Sequence, residues 1–466
     1  MAQVLGYDID SFRSAFGGPV LVEGDEGYDS ARSLWNGAID KRPGVIARCS
    51  TPEQVAAAIS FARANDLEIS VRGGGHNFAG FAVTDRGLMI DLSPMRGVRI
   101  DPDRRLAVCG GGATWGDVDG ASQAHGLAVT GGFISHTGIA GLTLGGGIGW
   151  LTRMMGLSCD RLVGAELVSA DGRTVRADAG SNPELFWALR GGGGNFGVVT
   201  SFEYALHPVG PMANLGLFFW EAARGAEALS FCREFVRTVP EDCGILVAGL
   251  NAPPAPFVPA EHHFAPGYAL IVVGFGSAEQ HASVIAPVRQ GLAPLFELVA
   301  PMPYVALQQM FDEGNPWGML AYEKALHLEE LTDEAISVIV EHFPRHRSPL
   351  SFMPIFVVDG AYSRVADDAT AYSGLRSTRY CVNIAAVCPA PELYEVDRPW
   401  VRSFWEALRP HAVGPGSYVN FMSEYDENRV RAAYGSAKYQ RLSRLKAEWD
   451  PENLFHLNAN VKPAGG

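Results

Sequence analysis

Three glycine-dense segments restrict the possible folds of this chain most strongly, because all three fall in one region of alternating strand and helix patterns. They are residues 71–77 (VRGGGHN), 137–149 (TGIAGLTLGGGIG) and 191–200 (GGGGNFGVVT). Glycine tolerates a positive φ and lets backbone N–H groups approach an anion closely. A single run of this kind is typical of a turn, but three runs, one carrying a histidine, favour a site for a large dinucleotide. None of them matches the GxGxxG pattern with a later acidic residue, which disfavours a Rossmann-type NAD site.

Residues 42–208 alternate short β-rich runs with helical patterns. The predicted strands are VIARCS, EISVRG, LMIDLS, GVRIDPD and RLAVCGGG. Helices are predicted at TPEQVAAAISFARANDL, where Thr51 caps and Pro52 opens the helix, and at WGDVDGASQAHG, which Gly126 ends. A third is predicted at NPELFWALRGGGG, with Asn182 as cap and Pro183 at the first position. This alternation predicts an α/β region.

The pattern changes after residue 208. NAPPAPFVPAEHHFAPG is proline-rich and predicts an exposed loop, YALIVVGFG and SFMPIFVVDG predict strands, and LEELTDEAISVIVEHF predicts an amphipathic helix. KYQRLSRLKAEW predicts a helix that ends at Asp450, and LNANVKP predicts a polar strand. We expect three segments: 1–208 with a core at 42–208, then 209–414, and a tail at 415–466 that returns to the first.

Charge and cysteine usage disfavour several classes of protein. The net charge is −14 and the pI is about 5.3, so neither nucleic acid nor an anionic membrane is an expected partner. No apolar run reaches the ~20 residues that span a bilayer, and the first residues, MAQVLGYDIDSFRSAFGG, carry no secretion-signal pattern. The seven cysteines are scattered and form no CxxC pair, so no metal site is expected. These observations predict a cytoplasmic protein.

Four motifs occur in a fixed order and carry a family resemblance. They are the strand followed by RGGGHN, GIAGLTLGGGIGWLTRMMGLSCD, NPELFWALRGGGGNFGVVT, and the tail that runs from YVNF to RLSRLKAEWDPENLFHLNANVKP. Together they resemble the berberine-bridge-enzyme-like branch of the vanillyl-alcohol-oxidase flavoproteins, over about 42–208 and 417–463. The resemblance implies an α+β fold, with a PCMH-type FAD-binding domain of two α/β subdomains. It also implies a substrate domain in which helices cover an antiparallel sheet.

The resemblance assigns FAD as cofactor and gives roles to particular residues. His76 would attach covalently to the 8α-methyl group of the flavin. Relatives with a second, cysteinyl link carry that cysteine where Ile134 stands here, so a single link is implied, and Cys159 is interpreted as a core residue. The residues implied to contact FAD are Arg72, Gly73, Gly74, Gly75, His76, Asn77, Gly80, Thr137, Gly138, Gly141, Leu142, Gly145, Gly146, Gly147, Gly149, Val199, Asn458 and Asn460. Alternate residues of a strand share one face, so Asn458 and Asn460 would point the same way.

Two further residues follow from the second glycine segment. Thr137 stands where the family gates access of oxygen to the flavin, and its valine-like shape implies ready reaction with O₂. His136 either hydrogen-bonds substrate or flavin, or is structural.

The catalytic base is left open by the sequence. Relatives often take it from a Y-x-N-Y motif, but the motif here is Tyr418-Val419-Asn420-Phe421 and lacks the last hydroxyl. An acid on a neighbouring strand is replaced by Val382. Three explanations remain: Tyr418 or Tyr322 substitutes, the substrate needs no strong base, or the strand alignment slips by one so that Asn383 faces the flavin. Tyr418, Asn420 and His136 are the candidate catalytic residues.

Two carboxylates near apolar runs, Asp359 and Glu323, are interpreted as solvated caps.

The predicted reaction is oxidation of a small molecule by hydride transfer to flavin N5, with O₂ as acceptor and H₂O₂ as product. An apolar run favours an aromatic or polyketide-like secondary metabolite over a sugar; its residues are Phe352, Met353, Ile355, Phe356 and Val357. The alternatives are a dehydrogenase with another acceptor, a flavin-bound protein without turnover, and an enzyme that rearranges its substrate without net oxidation. The sequence leaves the oligomeric state open.

Overall fold

The first part of the chain forms a small, mostly parallel sheet with three helices. The computed structural model describes residues 8–414 and 416–465, so the first seven residues of the N-terminal segment considered above lie outside the described residues. The strands are β1 (Val20–Leu21), β2 (Val45–Arg48), β3 (Ile69–Arg72) and β4 (Leu88–Asp91), in the order β1-β2-β4-β3. The helices are α1 (Ile9–Phe16), α2 (Tyr28–Arg32) and α3 (Pro52–Ala64). As predicted, Thr51 caps α3, because its side chain accepts the N–H of Gln54.

A second, antiparallel sheet follows in the order β5-β6-β10-β8-β9. Its strands are β5 (Val98–Asp101), β6 (Leu106–Gly110), β8 (Leu162–Val168), β9 (Thr174–Asp178) and β10 (Val198–Ala205), while β7 (Leu127–Ala128) pairs with β11 (His207–Pro208). The helices are α4 (Trp115–Gln123), α5 (Ile139–Gly145), α6 (Thr152–Met155) and α7 (Pro183–Leu189). Asn182 precedes α7 but does not cap it through its side chain, which instead donates to the carbonyl of Arg176.

The middle of the chain forms a seven-stranded antiparallel sheet in the order β15-β12-β14-β13-β17-β18-β16. Its strands are β12 (Met212–Glu221), β13 (Cys243–Asn251), β14 (Pro266–Gly274), β15 (Phe296–Pro303), β16 (Leu320–Leu328), β17 (Met353–Val357) and β18 (Tyr380–Cys388). The helices are α8 (Gly225–Val236), α9 (Ala278–Gly291), α10 (Tyr304–Gln308), α11 (Asp333–His342), α12 (Ala361–Arg364) and α13 (Pro391–Leu408). One face of this sheet packs on α8, α9, α11 and α13 in a continuous apolar core. Part of the other face packs on residues 148–159, and the rest of it, the free face, lines the site.

The tail contributes α14 (Glu427–Trp449), which bends at Gly435 and packs against the core of the second sheet. The predicted strand LNANVKP is wrong, since no strand is assigned there. Its backbone pairs with a side chain rather than with a strand: Asn195 donates to the carbonyl of Ala459 and accepts the N–H of Val461.

The mixed helices and antiparallel sheets confirm the predicted α+β class. The three-segment division of the chain stays a prediction, although the large sheet begins at Met212 and ends at Cys388. In the parts of the chain that the structure describes, no helix has the length and hydropathy needed to cross a membrane.

Candidate active site

A cavity of about 950 Å³ lies between the glycine segments and the free face of the seven-stranded sheet. Sites for one small molecule usually measure roughly 300–1,000 Å³, so this cavity lies at the upper end of that range. All three glycine segments reach it, together with the tail at Asn458. The site is therefore assembled from parts of the chain that are distant in sequence.

Steric constraints explain why several positions at this site are glycine. A Cβ on Gly74 would lie 2.2 Å from the backbone nitrogen of Gly138, so the first two glycine segments can touch only without side chains. A Cβ on Gly145 would lie 2.0 Å from Oδ1 of Asn420. At Gly141, which lines the cavity, a Cβ would meet nothing within 4 Å and would enter the open space. Because these residues have no side chains, the segments can pack closely and their backbone groups stay accessible to a ligand.

Most residues predicted to contact the cofactor line this cavity. They are Gly73, Gly74, Gly75, His76, Asn77, Thr137, Gly138, Gly141, Leu142, Gly145, Val199 and Asn458.

The remaining predicted contacts lie elsewhere. Arg72 and His136 line an adjacent cavity of about 400 Å³. Gly80, Gly146, Gly147, Gly149 and Asn460 do not line either cavity. Gly149 is enclosed, because a Cβ there would lie 1.6 Å from the carbonyl oxygen of Gly131. Direct contacts of these residues with a cofactor stay predictions.

His76 projects from the first glycine segment into the cavity wall. Its Nε2 lies 2.7 Å from Nδ1 of His136, and its ring stacks on Trp35 with centroids 5.6 Å apart. Burial, and secondly the neighbouring His136, lowers the pKa of His76 to about 3. The imidazole is therefore neutral at pH 7 and keeps a lone pair, as a nitrogen that bonds to carbon must.

His136 is held beside His76 by its own surroundings. Burial lowers its pKa, while Asp312 and a backbone hydrogen bond at Asn315 oppose that effect. The Asp312 carboxylate accepts from the backbone N–H and the hydroxyl of Ser135 at 2.9 and 2.5 Å. The Asp312 bonds thus hold the backbone next to His136, and the bond at Asn315 holds its ring beside that of His76.

Of the YVNF motif, Asn420 and Phe421 line the cavity and Tyr418 does not. The Tyr418 hydroxyl is fully buried and accepts from the backbone N–H of Gly147 at 2.7 Å and from Nδ2 of Asn420 at 2.8 Å. Burial raises its pKa. The geometry favours a positioning role for Tyr418, and its predicted catalytic role stays a prediction. Asn420 also donates to the carbonyl of Leu142 at 3.0 Å, which ties the motif to α5.

Strand β18 presents Asn383 to the cavity, whereas Val382 packs in the core on the helix side. Asn383 therefore faces the cavity, as the alternative with the one-residue slip expects, while the identity of the base stays a prediction. The apolar run on and before β17 divides in the same way. Phe352 and Phe356 line the cavity, and the other three members, Met353, Ile355 and Val357, face the helices.

The interpretation of Glu323 as a solvated cap is wrong. Its side chain lies on β16, is only 1% exposed and lines the cavity. Oε2 accepts from Nδ2 of Asn383 at 2.8 Å, while Glu323 Oε1 and Asn383 Oδ1 are buried without a hydrogen-bond partner among the described residues. Burial raises the pKa of Glu323 to about 8, although the bond from Asn383 opposes that rise.

The other candidates for a base point away from this site. The Tyr322 hydroxyl accepts from Nε of Arg402 at 3.1 Å on the opposite face of β16. Asp359 accepts from Nε of Arg153 at 2.5 Å. The sequence signal for Glu323 was its spacing, because it shares a strand face with Ala321 and Ala325.

The unpaired polar atoms and the glycine walls fit a flavin dinucleotide. Oδ1 of Asn458 is a buried acceptor without a partner among the described residues, and Asn458 lines the cavity. FAD carries ring N–H and ribityl hydroxyl donors that such an acceptor binds. The open position at Gly141 leaves room for the cofactor, and the three glycine segments offer backbone N–H groups suited to phosphate.

Comparison with known proteins agrees with this fit. A family model described as FAD binding domain matches residues 43–178, and one described as Berberine and berberine like matches residues 417–462. (R)-6-hydroxynicotine oxidase of Paenarthrobacter nicotinovorans is 30% identical over 466 residues, covering 96% of this chain and 97% of the relative. An FAD-linked oxidoreductase of Dictyostelium discoideum is 28% identical over 459 residues, covering 98% and 97%. The crystal structure of 6-hydroxy-D-nicotine oxidase from Arthrobacter nicotinovorans has a TM-score of 0.85 at 28% identity, covering 99% of both chains.

Fold and site together define an oxidoreductase that binds a flavin dinucleotide. More particularly, the chain belongs to the berberine-bridge-enzyme-like family of FAD-linked oxidoreductases. The family resemblance, the PCMH-type fold and the FAD cofactor predicted from the sequence are confirmed.

Proposed function

We propose that this protein holds FAD through a single covalent bond between His76 and the flavin 8α-methyl group and oxidises a small apolar or aromatic molecule with O₂. The observation that carries the proposal is the pairing of two groups in one cavity. One is the neutral imidazole of His76 beside the glycine segments, and the other is the buried carboxyl of Glu323 on the sheet.

A single link is supported by the residue at position 134. Ile134 lines the cavity where relatives with a second link carry a cysteine, and its side chain has no nucleophile. The buried Cys159 has its pKa raised by burial, which disfavours the reactive thiolate.

The chemistry needs a hydride acceptor and a proton acceptor. FAD, when bound, supplies the acceptor for the hydride. Glu323 Oε1 has no partner among the described residues and can take the proton from an O–H or N–H group next to the oxidised carbon. Asn383 orients that carboxyl through the 2.8 Å bond to Oε2. The hydride and the proton together account for the two electrons and two hydrogens lost by the substrate.

The surroundings of Glu323 favour an apolar substrate. Phe352, Phe356 and Phe133 line the same cavity, and few charged side chains do. A sugar would leave many hydroxyls without partners on such a surface. One relative is named for a small hydroxylated aromatic molecule, and a role in secondary metabolism is the setting that we propose.

The acceptor O₂ is proposed from Thr137, which lines the cavity beside Ile134. Its short branched side chain leaves room for a diatomic molecule, and reoxidation of the cofactor would release H₂O₂.

Anaerobic titration tests the proposed function. The purified holoenzyme is mixed with a panel of phenols, hydroxylated N-heterocycles and oligosaccharides, and the visible flavin band is followed. We expect bleaching by aromatic compounds, and recovery with H₂O₂ formation when air is admitted. Bleaching by oligosaccharides alone would contradict the substrate class, and a reduced flavin that is stable in air would instead identify a dehydrogenase.

A further inference from the structure

The cavity extends well beyond the pair of Glu323 and Asn383, along the free face of the large sheet. Strand register describes this extension. Phe296 of β15 lies opposite Phe219 of β12, which lies opposite Ala269 of β14, which lies opposite Ala248 of β13. All four line the cavity.

The same row of residues continues to Asn383, which is paired with Glu323. Ala248 lies opposite Pro354 of β17, and the pairing of Ile355 with Val382 puts Pro354 beside Asn383. Adjacent strands are about 4.8 Å apart, so four spacings separate Asn383 from Phe219, on the order of 19 Å. A single straight row of side chains thus joins the polar pair to a remote apolar wall.

The side chains of this row are large at the far end and small in the middle, which leaves a trough along the sheet. Phe219 and Phe296 stack with ring centroids 4.7 Å apart and close the far end. Two alanines, Ala248 and Ala269, occupy the middle of the row and line the cavity with small side chains. Ala269, Phe219 and Phe296 share one buried apolar cluster with Ala252 and Val258 of the loop that follows β13. Nothing in this row between Pro354 and Phe296 carries a polar side chain.

The loop at 252–265 covers this trough. Two backbone hydrogen bonds close it, from Ala252 to Ala265 at 2.9 Å and from Phe264 to Ala252 at 2.8 Å. Phe257 and Phe264 of the loop both line the cavity. Phe264 is 54% exposed and has a φ of 64°, a conformation that a bulky residue adopts rarely. An exposed phenylalanine held in this way stands at the mouth of the trough.

We propose that this trough binds an extended hydrocarbon tail of the substrate, whose oxidisable head lies at Glu323 and Asn383. The inference rests on the proposed function, because that function places the head. The substrate class is therefore an amphiphile with one polar, ionisable head and an apolar tail on the order of four strand spacings long. Loop 252–265 forms the roof over the tail, with Phe264 at its outer end.

The test uses 4-methylphenol, 4-butylphenol and 4-heptylphenol as probes of the holoenzyme without oxygen. Affinity is measured by calorimetry and by the change in the visible flavin spectrum. We expect each added methylene to tighten the Kd by up to about fourfold. In Ala269→Phe, which fills the trough, the gain with chain length should disappear while the Kd of 4-methylphenol stays unchanged.

Two further variants keep the test decisive. Phe264→Ala removes an exposed side chain and should weaken binding of 4-heptylphenol only. Val396→Ala removes another exposed apolar side chain, on the outer surface of α13, and should change nothing. A Kd independent of chain length in the wild type, or the same chain-length gain in wild type, Ala269→Phe and Phe264→Ala, would overturn the proposal.

Failure of the proposed function gives a different result. Calorimetry reports binding whether or not the flavin is reduced. A chain-length effect without any reduction would retain the trough and reject the oxidase, whereas reduction without a chain-length effect would reject the trough alone.

Discussion

Glu323 is a buried carboxyl in the wall of the cavity, although its immediate neighbours in sequence are polar. Its neighbours in sequence, Tyr322 and Lys324, point to the other face of β16, where Lys324 lies over the ring of Trp405. With polar residues at three successive positions, the face that Glu323 shares with Ala321 and Ala325 is the sole local indication that it is buried. The burial of Glu323 is produced by partners from distant parts of the chain, Asn383 and Tyr425 among them. Residue spacing could indicate this site, but only the tertiary packing reveals it.

Replacing Glu323 with glutamine should remove the proton acceptor. Burial raises the pKa of this carboxyl to about 8, so the wild-type carboxylate, and with it the rate of flavin reduction, should increase as the pH rises through 8. In Glu323→Gln we expect the rate to fall by about 10²–10⁴-fold and to lose that pH dependence. Stopped-flow reduction across pH 6–10 measures both. Glu313→Gln changes an exposed carboxyl at the edge of the cavity and serves as the matched control.

Variants of Thr137 test whether O₂ reaches the reduced flavin past this side chain. Thr137→Leu adds bulk where Thr137 lines the cavity and should slow reoxidation of the reduced enzyme by air without slowing its reduction. Thr137→Val keeps the shape and should reoxidise like the wild type. Equal reoxidation rates in all three proteins would show that this residue does not gate oxygen.

Some helices and strands can be predicted from local sequence patterns, and others cannot. Helix α3 was predicted correctly because its cap, its proline and its apolar stripe are all local. The strands β2, β3 and β4 were also predicted correctly, because their short β-rich runs are local signals. The tail LNANVKP has the alternation of a strand, but its backbone partners are the side chain of Asn195. No local pattern distinguishes those two outcomes.

Helix α14 is fastened to the flavin-binding part of the chain by a buried lysine. Lys446 and Asp450 are fully buried and their charged atoms lie 2.6 Å apart. Lys446 also donates to the carbonyls of Asn195 and Phe455, while Asp450 accepts from the backbone of Leu454 and Phe455. The two carbonyl bonds of this lysine therefore join the helix to the third glycine segment and to the residues that follow the helix.

Lys446→Met should leave the Asp450 charge buried without its partner. Breaking a buried pair in this way costs about 3–5 kcal/mol of unfolding free energy, and we expect a large loss in chemical denaturation together with poor flavin retention. Arg444→Met, an exposed position on the same helix, should be nearly neutral. Wild-type stability in Lys446→Met would show that this network does not hold the tail.

In the whole molecule, the site forms where three sheets and the tail meet, because β3, β10 and the seven-stranded sheet all line the cavity. The glycine segments could be predicted from the sequence, and the family resemblance implied the antiparallel sheet in the middle of the chain. The trough over Ala248 and Ala269 could not, because it depends on the register of four strands and on loop 252–265. That loop was correctly predicted as a loop, but its inner side lines the cavity.

Helices α4 and α10 join the FAD-binding part of the chain to the part that contains the seven-stranded sheet, through a buried carboxyl. Asp119 accepts from Nε2 of Gln308 at 3.0 Å, and burial raises its pKa to about 7. An acid whose folded pKa exceeds its unfolded value of about 3.8 binds protons more tightly when folded. Its ionisation therefore lowers stability progressively as the pH rises from about 4 to 7, and the full cost is present above 7.

Asp119→Asn should abolish the loss of stability that ionisation of Asp119 causes. We expect the variant to unfold a few degrees above the wild type at pH 8, and the difference to shrink towards pH 4. Calorimetric scans at both pH values measure the effect, with Asp103→Asn at an exposed position as control. A variant that is less stable than the wild type at pH 8 would contradict this account of the interface.

The covalent bond proposed between FAD and His76 can be tested directly on the purified protein. The most direct test is intact mass, combined with fluorescence of the acid-denatured protein on a gel under ultraviolet light. We expect the wild type to carry the mass of one FAD and a fluorescent band, and His76→Ala to lose both. Unmodified mass and a dark band for the wild type, or a retained adduct in His76→Ala, would contradict the account.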